Sequence, residues 1–281
     1  MHAPPTTRAA RQQARRQRAR ISIAISATST AVVLGGVALA IVLSPGWRTV
    51  REEFFSWHYF KTVLPSLPGG FWLDVQMFLI VEAVVLVLGL AIALIRTMRA
   101  PVLFPLRLVA AVFVDVMRGV PLLILLYLFG FGVLALGFSF IPSDETILGG
   151  AALAFCYSAY VSEVFRAGIE SIHPSQPAAA LALGLTRTQA LRHVVLPQAV
   201  RRVVPPLLND FISLTKDVAL VSILGPPEIA RIAQIGADQY FNYTPYVAAA
   251  VFYLIITLPL IRIVDHMRLR GLRRQNALVL M

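Results

Sequence analysis

Charged side chains are scarce in this sequence: Asp, Glu, Lys and Arg make up only 14% of its 281 residues. A soluble domain carries about 25% charged residues, which it needs to cover its surface with polar groups. With 58% hydrophobic residues and a mean hydropathy of +0.75, the chain has too little polar surface to face water on all sides. This composition excludes an ordinary soluble enzyme and a disordered chain, and it predicts a membrane protein with several spans.

The sequence also lacks the signatures of most catalytic sites. Its one cysteine, Cys156, lies in an apolar run without a partner for an internal disulfide, so we expect a small core residue. The five histidines fall in unrelated segments, with no H-E-x-x-H pattern that would predict a metal site. Neither lysine, Lys61 or Lys216, follows a glycine, which excludes the P-loop of nucleotide-hydrolysing proteins. We therefore expect a protein that is not itself an enzyme and that holds no metal or cofactor.

Long apolar runs are abundant, and they predict an all-α, polytopic membrane protein with about six transmembrane helices. The expected spans are residues 21–43, 71–95, 106–136, 146–166, 204–224 and 245–264. The first run contains Ala38-Leu39-Ala40, which resembles a signal-peptide cleavage site, but it is longer than the usual stretch of about 7–15 apolar residues. A retained transmembrane helix is therefore favoured. Residues 44–70 contain Trp47, Trp57 and Tyr59 and are expected to lie at the extracytoplasmic membrane surface.

The positive charges indicate the topology of the chain, whose net charge is +11. Of the 25 Lys and Arg residues, 19 fall in the first 20 residues, in 96–107, in 166–202 and at the C-terminal end. By the positive-inside rule these segments are cytoplasmic, so both basic tails, 1–20 and 266–281, are expected in the cytoplasm. Because the charges are spread over every cytoplasmic segment, they argue against nucleic-acid binding.

Ionisable residues inside the predicted spans are costly in lipid and therefore mark candidate functional positions. In the fifth span, five polar residues fall within about 120° of arc on a helix. This polar stripe consists of Asn209, Asp210, Ser213, Lys216 and Asp217. The stripe must face other helices or a wet cavity. Two interpretations stay open, a translocation path and a structural network of ion pairs between helices.

Three further charges lie in the second and third spans. Asp115 and Arg118 are three residues apart and are expected to pair. Gly119 and Pro121 follow them and are expected to kink the helix. Glu82 lies near the centre of the second span without a charged neighbour in sequence, and we expect it to pair with Arg118 or Lys216 or to be protonated. With the polar stripe, these three residues are the candidates for a substrate path.

A polar segment at about 167–202, between the fourth and fifth spans, is expected on the cytoplasmic side. Its pattern predicts a short Ala-rich helix that ends at a glycine, a polar turn, and a second short helix that a proline stops. The residues expected to carry its function are Ala178, Ala179, Ala180, Gly184, Leu196 and Pro197. Such an element is suited to docking a partner protein, and the alternative is an amphipathic loop that lies on the membrane.

This segment resembles the coupling loop of permease subunits of bacterial ABC importers. Both have the motif A-A-x-x-x-G, followed after nine residues by an aliphatic residue, any residue, and L-P. More specifically, the chain is similar to the polar amino-acid uptake branch over about residues 70–265. The stretches that carry the likeness are 118–123, 163–169, 196–199 and 211–220. The stretch that begins at 70–76 looks most like glutamate-type permeases of actinobacteria.

The resemblance implies a complex in a bacterial cytoplasmic membrane. It would contain two permease subunits, the same or homologous, and an ATPase dimer, and an extracytoplasmic amino-acid-binding protein would supply it. Residues 71–265 would form the permease core, and 21–43 an extra helix. ATP and Mg would be bound by the ATPase subunits. The helix at 178–184 would transmit the closure of the ATPase dimer. A polar amino acid, glutamate-like by the resemblance, would then pass along the polar stripe.

Two positions depart from the family pattern. Ala178 stands where the family has an acidic residue, after Pro177 where an aromatic is common, and Ala167 replaces a usual glycine. The first departure puts a charged contact with the ATPase in doubt, but not docking by shape. Two other classes stay open. A secondary transporter would use Glu82 or Asp217 to carry a proton and would contain an inverted repeat; the other class is a structural or assembly protein of the membrane.

Overall fold

The computed structural model describes residues 8–98 and 100–279, and the side chains of residue 19, of 21–98 and of 100–267. Parts of both predicted basic tails lie outside the described residues: residues 1–7, 280 and 281, the side chains of the arginines before Ile21, and the side chains from Arg268 onward. Arg99 in the predicted 96–107 loop also lies outside them. The chain divides into two compact units, Met1–Ser56 and Trp57–Met281. The first unit contains α1 (Arg8–Val42) and α2 (Trp47–Phe54). Residues Ile21–Val42 are apolar enough to cross a membrane and have exposed side chains.

The second unit is a bundle of helices. They are α3 (Trp57–Val63), α4 (Leu67–Thr97), α5 (Phe104–Gly119), α6 (Leu122–Tyr127), α7 (Glu145–Glu170), α8 (Ser175–Ala182), α9 (Arg187–Ala190), α10 (Leu196–Asp217), α11 (Ile229–Tyr240) and α12 (Thr244–Val279). A π-helical turn, Leu128–Val133, continues α6, and a 3-10 helix, Val218–Leu224, continues α10. The described residues contain no strand, so the predicted all-α fold is confirmed.

Four described helices are long and apolar enough to span a membrane: Ile21–Val42, Leu67–Thr97, Glu145–Glu170 and Thr244–Met267. A fifth candidate is a bent pair, in which Pro101–Gly119 and Leu122–Val133 meet at 107°. The polytopic membrane fold is thereby confirmed. The predicted span at 204–224 is helical, but its charged residues make it less apolar than the others. The count of six spans and the cytoplasmic termini stay predictions.

The bend of the third predicted span lies where the sequence placed a kink. Helix α5 ends at Gly119, Val120 is extended with φ −95° and ψ 131°, and Pro121 precedes α6. Proline lacks an N–H group and disfavours the helical conformation in the residue before it. The helix therefore stops and restarts in a new direction, which carries α6 against α7.

Two apolar clusters hold the bundle together. The larger one joins α4, α6, α7 and α10, and its buried members include Val81, Leu126, Leu153 and Leu214. The smaller one lies at the N-terminal end of α4 and joins it to α3, α11 and α12; its members are Val63, Leu67, Ile229, Ala233, Ala248 and Ala249. Following the predicted topology, we call this the outer end of the bundle, and the end that carries α8 and α9 the inner end.

The segment after α7 corrects one expectation. Leu196 and Pro197 do not stop a second short helix, because α9 passes through a π-helical turn, Leu191–Val195, directly into α10, which begins at Leu196. Proline is tolerated there because the N–H groups of a first helical turn have no partner within the helix. The first half of the segment is as predicted: α8 is rich in alanine, and Gly184 follows it.

Candidate functional site

The fold divides the polar stripe of α10 between two environments. Asp210 and Asp217 turn toward the bundle and are half-buried, whereas Asn209, Ser213 and Lys216 lie on the exposed surface of the chain. A lysine or aspartate in the middle of a span costs about 2.5–3.5 kcal/mol when it enters lipid. The exposed side of the stripe is therefore a surface for water or for another protein.

Asp217 is held in place from α7. The Tyr157 hydroxyl donates a hydrogen bond of 2.6 Å to Asp217 Oδ2, and Tyr157 itself is buried in the larger core cluster. Two turns earlier on α10, Asp210 lies close enough to Glu82 of α4 for their charges to interact. Oδ2 of Asp210 is buried and has no hydrogen-bond partner among the described residues. Because buried polar atoms are nearly always satisfied, this group of acids is suited to a cationic or hydrogen-bond-donating guest.

Both predicted ion pairs of the second and third spans are wrong within the described chain. Asp115 forms no ion pair with Arg118, whose guanidinium group lies 5.6 Å from the ring centroid of Tyr160. The electron-rich ring face attracts the cation, and Asp115 stays exposed. Glu82 pairs with neither Arg118 nor Lys216, because it faces Asp210 instead.

The interpretation of the stripe as an ion-pair network gains no support from the chain itself. Among the residues described, four ion pairs form, and none contains a member of the polar stripe. Both interpretations of the polar stripe therefore stay predictions.

Ion pairs are found instead at the inner end, where they join α4 to α7. The guanidinium groups of Arg96 and Arg166 both donate to the Glu163 carboxylate, Arg166 at 2.6 Å, and Arg166 also pairs with Glu170 at 2.6 Å. The side chains of Arg96 and Glu163 are only 16% and 18% exposed, so water screens their attraction in part. This network fixes the ends of two long helices beside α8.

The candidate coupling residues form an exposed projection at the inner end. Ala178 and Ala179 are exposed, while Ala180 is buried and anchors α8. Gly184, Leu196 and Pro197 are also exposed. Gly184 has φ 86°, a left-handed conformation that other residues adopt only with strain, and it ends the turn after α8.

Hydrogen bonds hold this projection to the bundle. Thr186 begins α9 with a capping box, in which Thr186 and Gln189 satisfy each other's backbone N–H groups. The amide of Gln198 on α10 donates to Gln176 of α8 at 3.2 Å. Arg202 of α10 donates to the carbonyl oxygen of Ser171, at the end of α7. The second of these contacts joins α8 to α10, and the third joins α10 to the end of α7.

Sequence reasoning missed several residues of these sites. Tyr157 lies inside an apolar run, and nothing in the sequence indicates that its hydroxyl meets Asp217. Leu183 lies in an Ala-Leu repeat, and only the structure shows that it is 83% exposed beside Leu181, at 43%. Asp74 and Glu228 are both buried at the outer end, although each is flanked by residues typical of a membrane surface or loop.

Comparison with known proteins identifies the family. The family described as the binding-protein-dependent transport system inner membrane component matches residues 86–270. The chain belongs to this family. The glutamine transport system permease of Escherichia coli K12 is 34% identical over 207 residues, which cover 73% of this chain and 93% of that one. The L-cystine permease of Bacillus subtilis is 34% identical over 244 residues, which cover 85% and 97%.

Solved structures agree with this assignment. The crystal structure of an amino acid ABC transporter with histidines is 34% identical to the permease, with a TM-score of 0.66 over 73% of this chain and 94% of that one. An inward-facing methionine ABC transporter is 21% identical with a TM-score of 0.56, which supports the fold alone. The likeness to polar amino-acid permeases of ABC importers is thereby confirmed, while the narrower likeness to actinobacterial glutamate-type permeases stays a prediction.

Family membership defines the class of the protein. The permease is a multi-pass protein of the cytoplasmic membrane, and it is not an enzyme, since ATP hydrolysis lies in a separate subunit of such transporters. The ABC importer assembly to which it belongs includes an ATPase and a binding protein.

Proposed function

We propose that this permease translocates a polar amino acid, with glutamate as the first candidate, in an ATP-driven importer. The observation that carries the proposal is the meeting of both signs of charge on α10. Asp210 faces the bundle beside Glu82 and Asp217 faces it beside Tyr157, while Lys216 lies on the exposed side of the same helix. A free amino acid is a zwitterion, so carboxylates fit its ammonium group and a lysine fits its carboxylate.

Glutamine is the second candidate, and the relatives favour it. Several of the matching proteins, among them ones from Bacillus subtilis and Escherichia coli, are named glutamine permeases. Glutamate carries one more negative charge than glutamine, and Lys216 is the one cation of the polar stripe. A second cation, from Arg118 or from a second permease subunit, would be needed to neutralise glutamate fully.

The inner end supplies the coupling to ATP hydrolysis. The exposed leucines Leu181 and Leu183 present apolar surface beside Ala178 and Ala179, which suits docking by shape in a groove of the ATPase. Movement of α8 would pass to α10 through Gln176 and Gln198 and so reach the polar stripe. ATP and Mg are bound by the ATPase in this proposal, and this chain holds no cofactor of its own.

The remaining partners follow from the same arrangement. The exposed face of α10, with Asn209, Ser213 and Lys216, would line a wet path closed by a second permease subunit, the same chain or a homologue. An extracytoplasmic binding protein would deliver the amino acid at the outer end. With the six spans and cytoplasmic termini that the sequence predicts, α8 would lie on the ATPase side of the membrane.

Uptake of radiolabelled amino acids tests the proposal. Cells with and without the permease are supplied with glutamate, glutamine, arginine, histidine or cystine, and the expected result is permease-dependent, ATPase-dependent uptake of glutamate. Preferred uptake of another member of the set would reassign the substrate. Transport by the purified permease in liposomes without any ATPase would contradict the importer mechanism and favour a secondary transporter.

A further inference from the structure

Two carboxyl groups face each other inside the protein at the outer end. Asp74 of α4 is 3% exposed, and Glu228, immediately before α11, is completely buried. The two carboxyl groups lie close enough for their charges to interact. Gly70, one turn before Asp74, makes this approach possible, because a Cβ atom there would lie 2.8 Å from the backbone nitrogen of Ile229.

Part of each carboxyl group is already satisfied. Glu228 caps α11 by accepting the backbone N–H groups of Ala230 at 2.8 Å and Arg231 at 2.6 Å. Oδ2 of Asp74 accepts the hydroxyl of Tyr253, from α12, at 2.7 Å. Oδ1 of Asp74 is also buried; the backbone N–H of Ile229 lies near the carboxyl group, but no donor among the described residues makes a well-aligned hydrogen bond to Oδ1. A proton carried by one of the two acids supplies the missing donor.

The described residues around the pair provide no compensating cation within ion-pair distance. Arg231 of α11 donates to Gln234 at 2.9 Å, and Lys61 of α3 lies 5.0 Å from the ring centroid of Trp57. The other titratable groups on the outer parts of the packed elements are His58 and Tyr59 on α3, Glu145 on α7, Asp238 and Tyr240 on α11, and Tyr246 on α12. None of these groups forms an ion pair with either of the two acids.

Two carboxylates in contact repel each other strongly when water is excluded, and one then holds a proton. Water is excluded here by the smaller apolar cluster, in which Leu67 and Ile229 are fully buried and Phe71 and Tyr253 pack against them. Burial raises the pKa of the Glu228 carboxyl group from its ordinary 4.5 to about 8, and the charge of Asp74 acts in the same direction, while the backbone hydrogen bonds oppose the rise.

We propose that Asp74 and Glu228 share one proton, and that this shared proton fastens α11 to α4 and α12 at the outer end of the permease. The two acids and the Tyr253 hydroxyl then form one hydrogen-bonded chain across three helices. Removal of the proton leaves two negative charges in contact without a cation. The inference does not depend on which amino acid is carried.

The pH dependence follows from linkage. An acid with a raised pKa binds its proton more tightly in the folded protein than in the unfolded chain, so the folded state is favoured at low pH. The stabilising contribution is complete below the unfolded value of 4.5, declines as the pH rises, and is lost above about 8. The outer fastening is therefore closed at acidic and neutral pH and loosened at alkaline pH.

Amide variants remove the need for the proton and keep the shape. In Glu228→Gln, the amide NH₂ can donate to Asp74, while the amide oxygen keeps one of the two bonds that cap α11. In Asp74→Asn the donor is on α4, and both capping bonds of Glu228 remain. Asp144 offers a matched control, since it caps α7 by accepting the N–H of Ile147 at 3.0 Å but is exposed. Asp144→Asn therefore changes a capping carboxylate to an amide without touching a buried acid pair.

Thermal unfolding of the full chain in lipid nanodiscs gives the first readout. Cys156 is the only cysteine and is 2% exposed, so a thiol-reactive fluorogenic dye reports its exposure on unfolding. Between a pH of about 6 and a pH of about 9.5, we expect the Tm of the wild type and of Asp144→Asn to fall by about 5 °C more than that of Glu228→Gln. Asp74→Asn should match Glu228→Gln and serves if the latter fails to fold.

Hydrogen–deuterium exchange gives a local readout. The exchange rates of the Ala230 and Arg231 amides, divided by that of the Ile147 amide at the control cap, should increase at alkaline pH in the wild type but not in Glu228→Gln. Parallel pH curves for wild type and Glu228→Gln in both measurements would overturn the shared proton. A rise in wild-type Tm at alkaline pH when sodium chloride replaces choline chloride, absent in Glu228→Gln, would instead assign the site to a metal cation.

Discussion

Helix α4 is fastened at both of its ends through carboxyl groups, but with opposite chemistry. At the inner end, Glu163 lies between the guanidinium groups of Arg96 and Arg166. At the outer end, Asp74 faces Glu228 without a cation. An acid between two cations stays ionised throughout the neutral range, whereas two acids in contact need a proton. The same helix therefore has one joint that depends on charge pairing and one that depends on pH.

The polar groups between these two ends are arranged differently again. Asp210 and Asp217 approach Glu82 and Tyr157, but a buried oxygen of Asp210 remains without a partner among the described residues, and Lys216 stays exposed. At the inner end the carboxylate meets cations, although the buried Nε of Arg166 has no partner among the described residues, and at the outer end the two acids meet each other with the proposed proton between them. The acids in the middle form no ion pair within the described residues. We therefore expect changes at the ends to lower stability and changes in the middle to lower transport.

The largest effect on stability is expected from Glu163→Ala. It leaves two arginines without their shared partner, and the free energy of unfolding should fall by about 2 kcal/mol, less than for a fully buried pair because water reaches these side chains in part. Thermal unfolding followed through Cys156 measures the change. Glu170→Ala is the control, since Glu170 is 53% exposed and contacts Arg166 alone. Equal losses in both variants would show that Arg96 contributes nothing to the joint.

A smaller effect, on transport and not on stability, is expected from Asp217→Asn. The variant keeps a hydrogen-bond acceptor for Tyr157 but removes the charge, and uptake should fall about tenfold, or about 1.4 kcal/mol in the barrier. Uptake is measured per molecule of permease in the membrane. Tyr157→Phe keeps the charge and removes the hydrogen bond, so it should lower Tm more and uptake less. The reverse order would assign Asp217 a structural role.

The smallest effect is expected at the turn after α8. Gly184→Val places a side chain at φ 86°, which costs about 1–2 kcal/mol, and the amount of substrate transported per ATP should fall a few-fold because α8 is displaced. Gly137→Val is the matched control, since Gly137 also has a positive φ, 65°, with open space around it, but lies between α6 and α7. If the amount of substrate transported per ATP is unchanged in Gly184→Val, or falls equally in Gly184→Val and Gly137→Val, then α8 does not couple ATP hydrolysis to transport.

Much of the fold was predictable because it depends on local pattern. Apolar runs predicted the long helices, and Gly119 and Pro121 predicted the bend, since proline acts on its own helix and on the residue before it. The polar stripe was visible because its residues recur at helical spacing. The π-helical turn at Leu191–Val195, which joins α9 to α10, had no such signal, and Pro197 was misread as a stop because proline is also favoured at a helix start.

The pairing of charged residues was the least predictable part of the site. Arg118 was expected to pair with Asp115, but its guanidinium group lies over the ring of Tyr160. Glu82 was expected to pair with Arg118 or Lys216 or to be protonated; it pairs with neither cation and lies near Asp210, and its protonation stays a prediction. Such partners are brought together by helix packing, across long sequence separations, so neighbours in sequence are poor guides to them.

The scarcity of charged residues by itself predicted a membrane protein. The order of the short motifs predicted the transporter family, which the comparisons then confirmed. Those features are local or compositional, and they hold whatever the packing. Tertiary structure alone decided which acids meet arginines, which meet tyrosines and which meet each other. Asp74 and Glu228 show why: they are 154 positions apart in sequence, and only the close approach of α11 at Gly70 puts them in contact, where their shared environment decides that one of them keeps a proton.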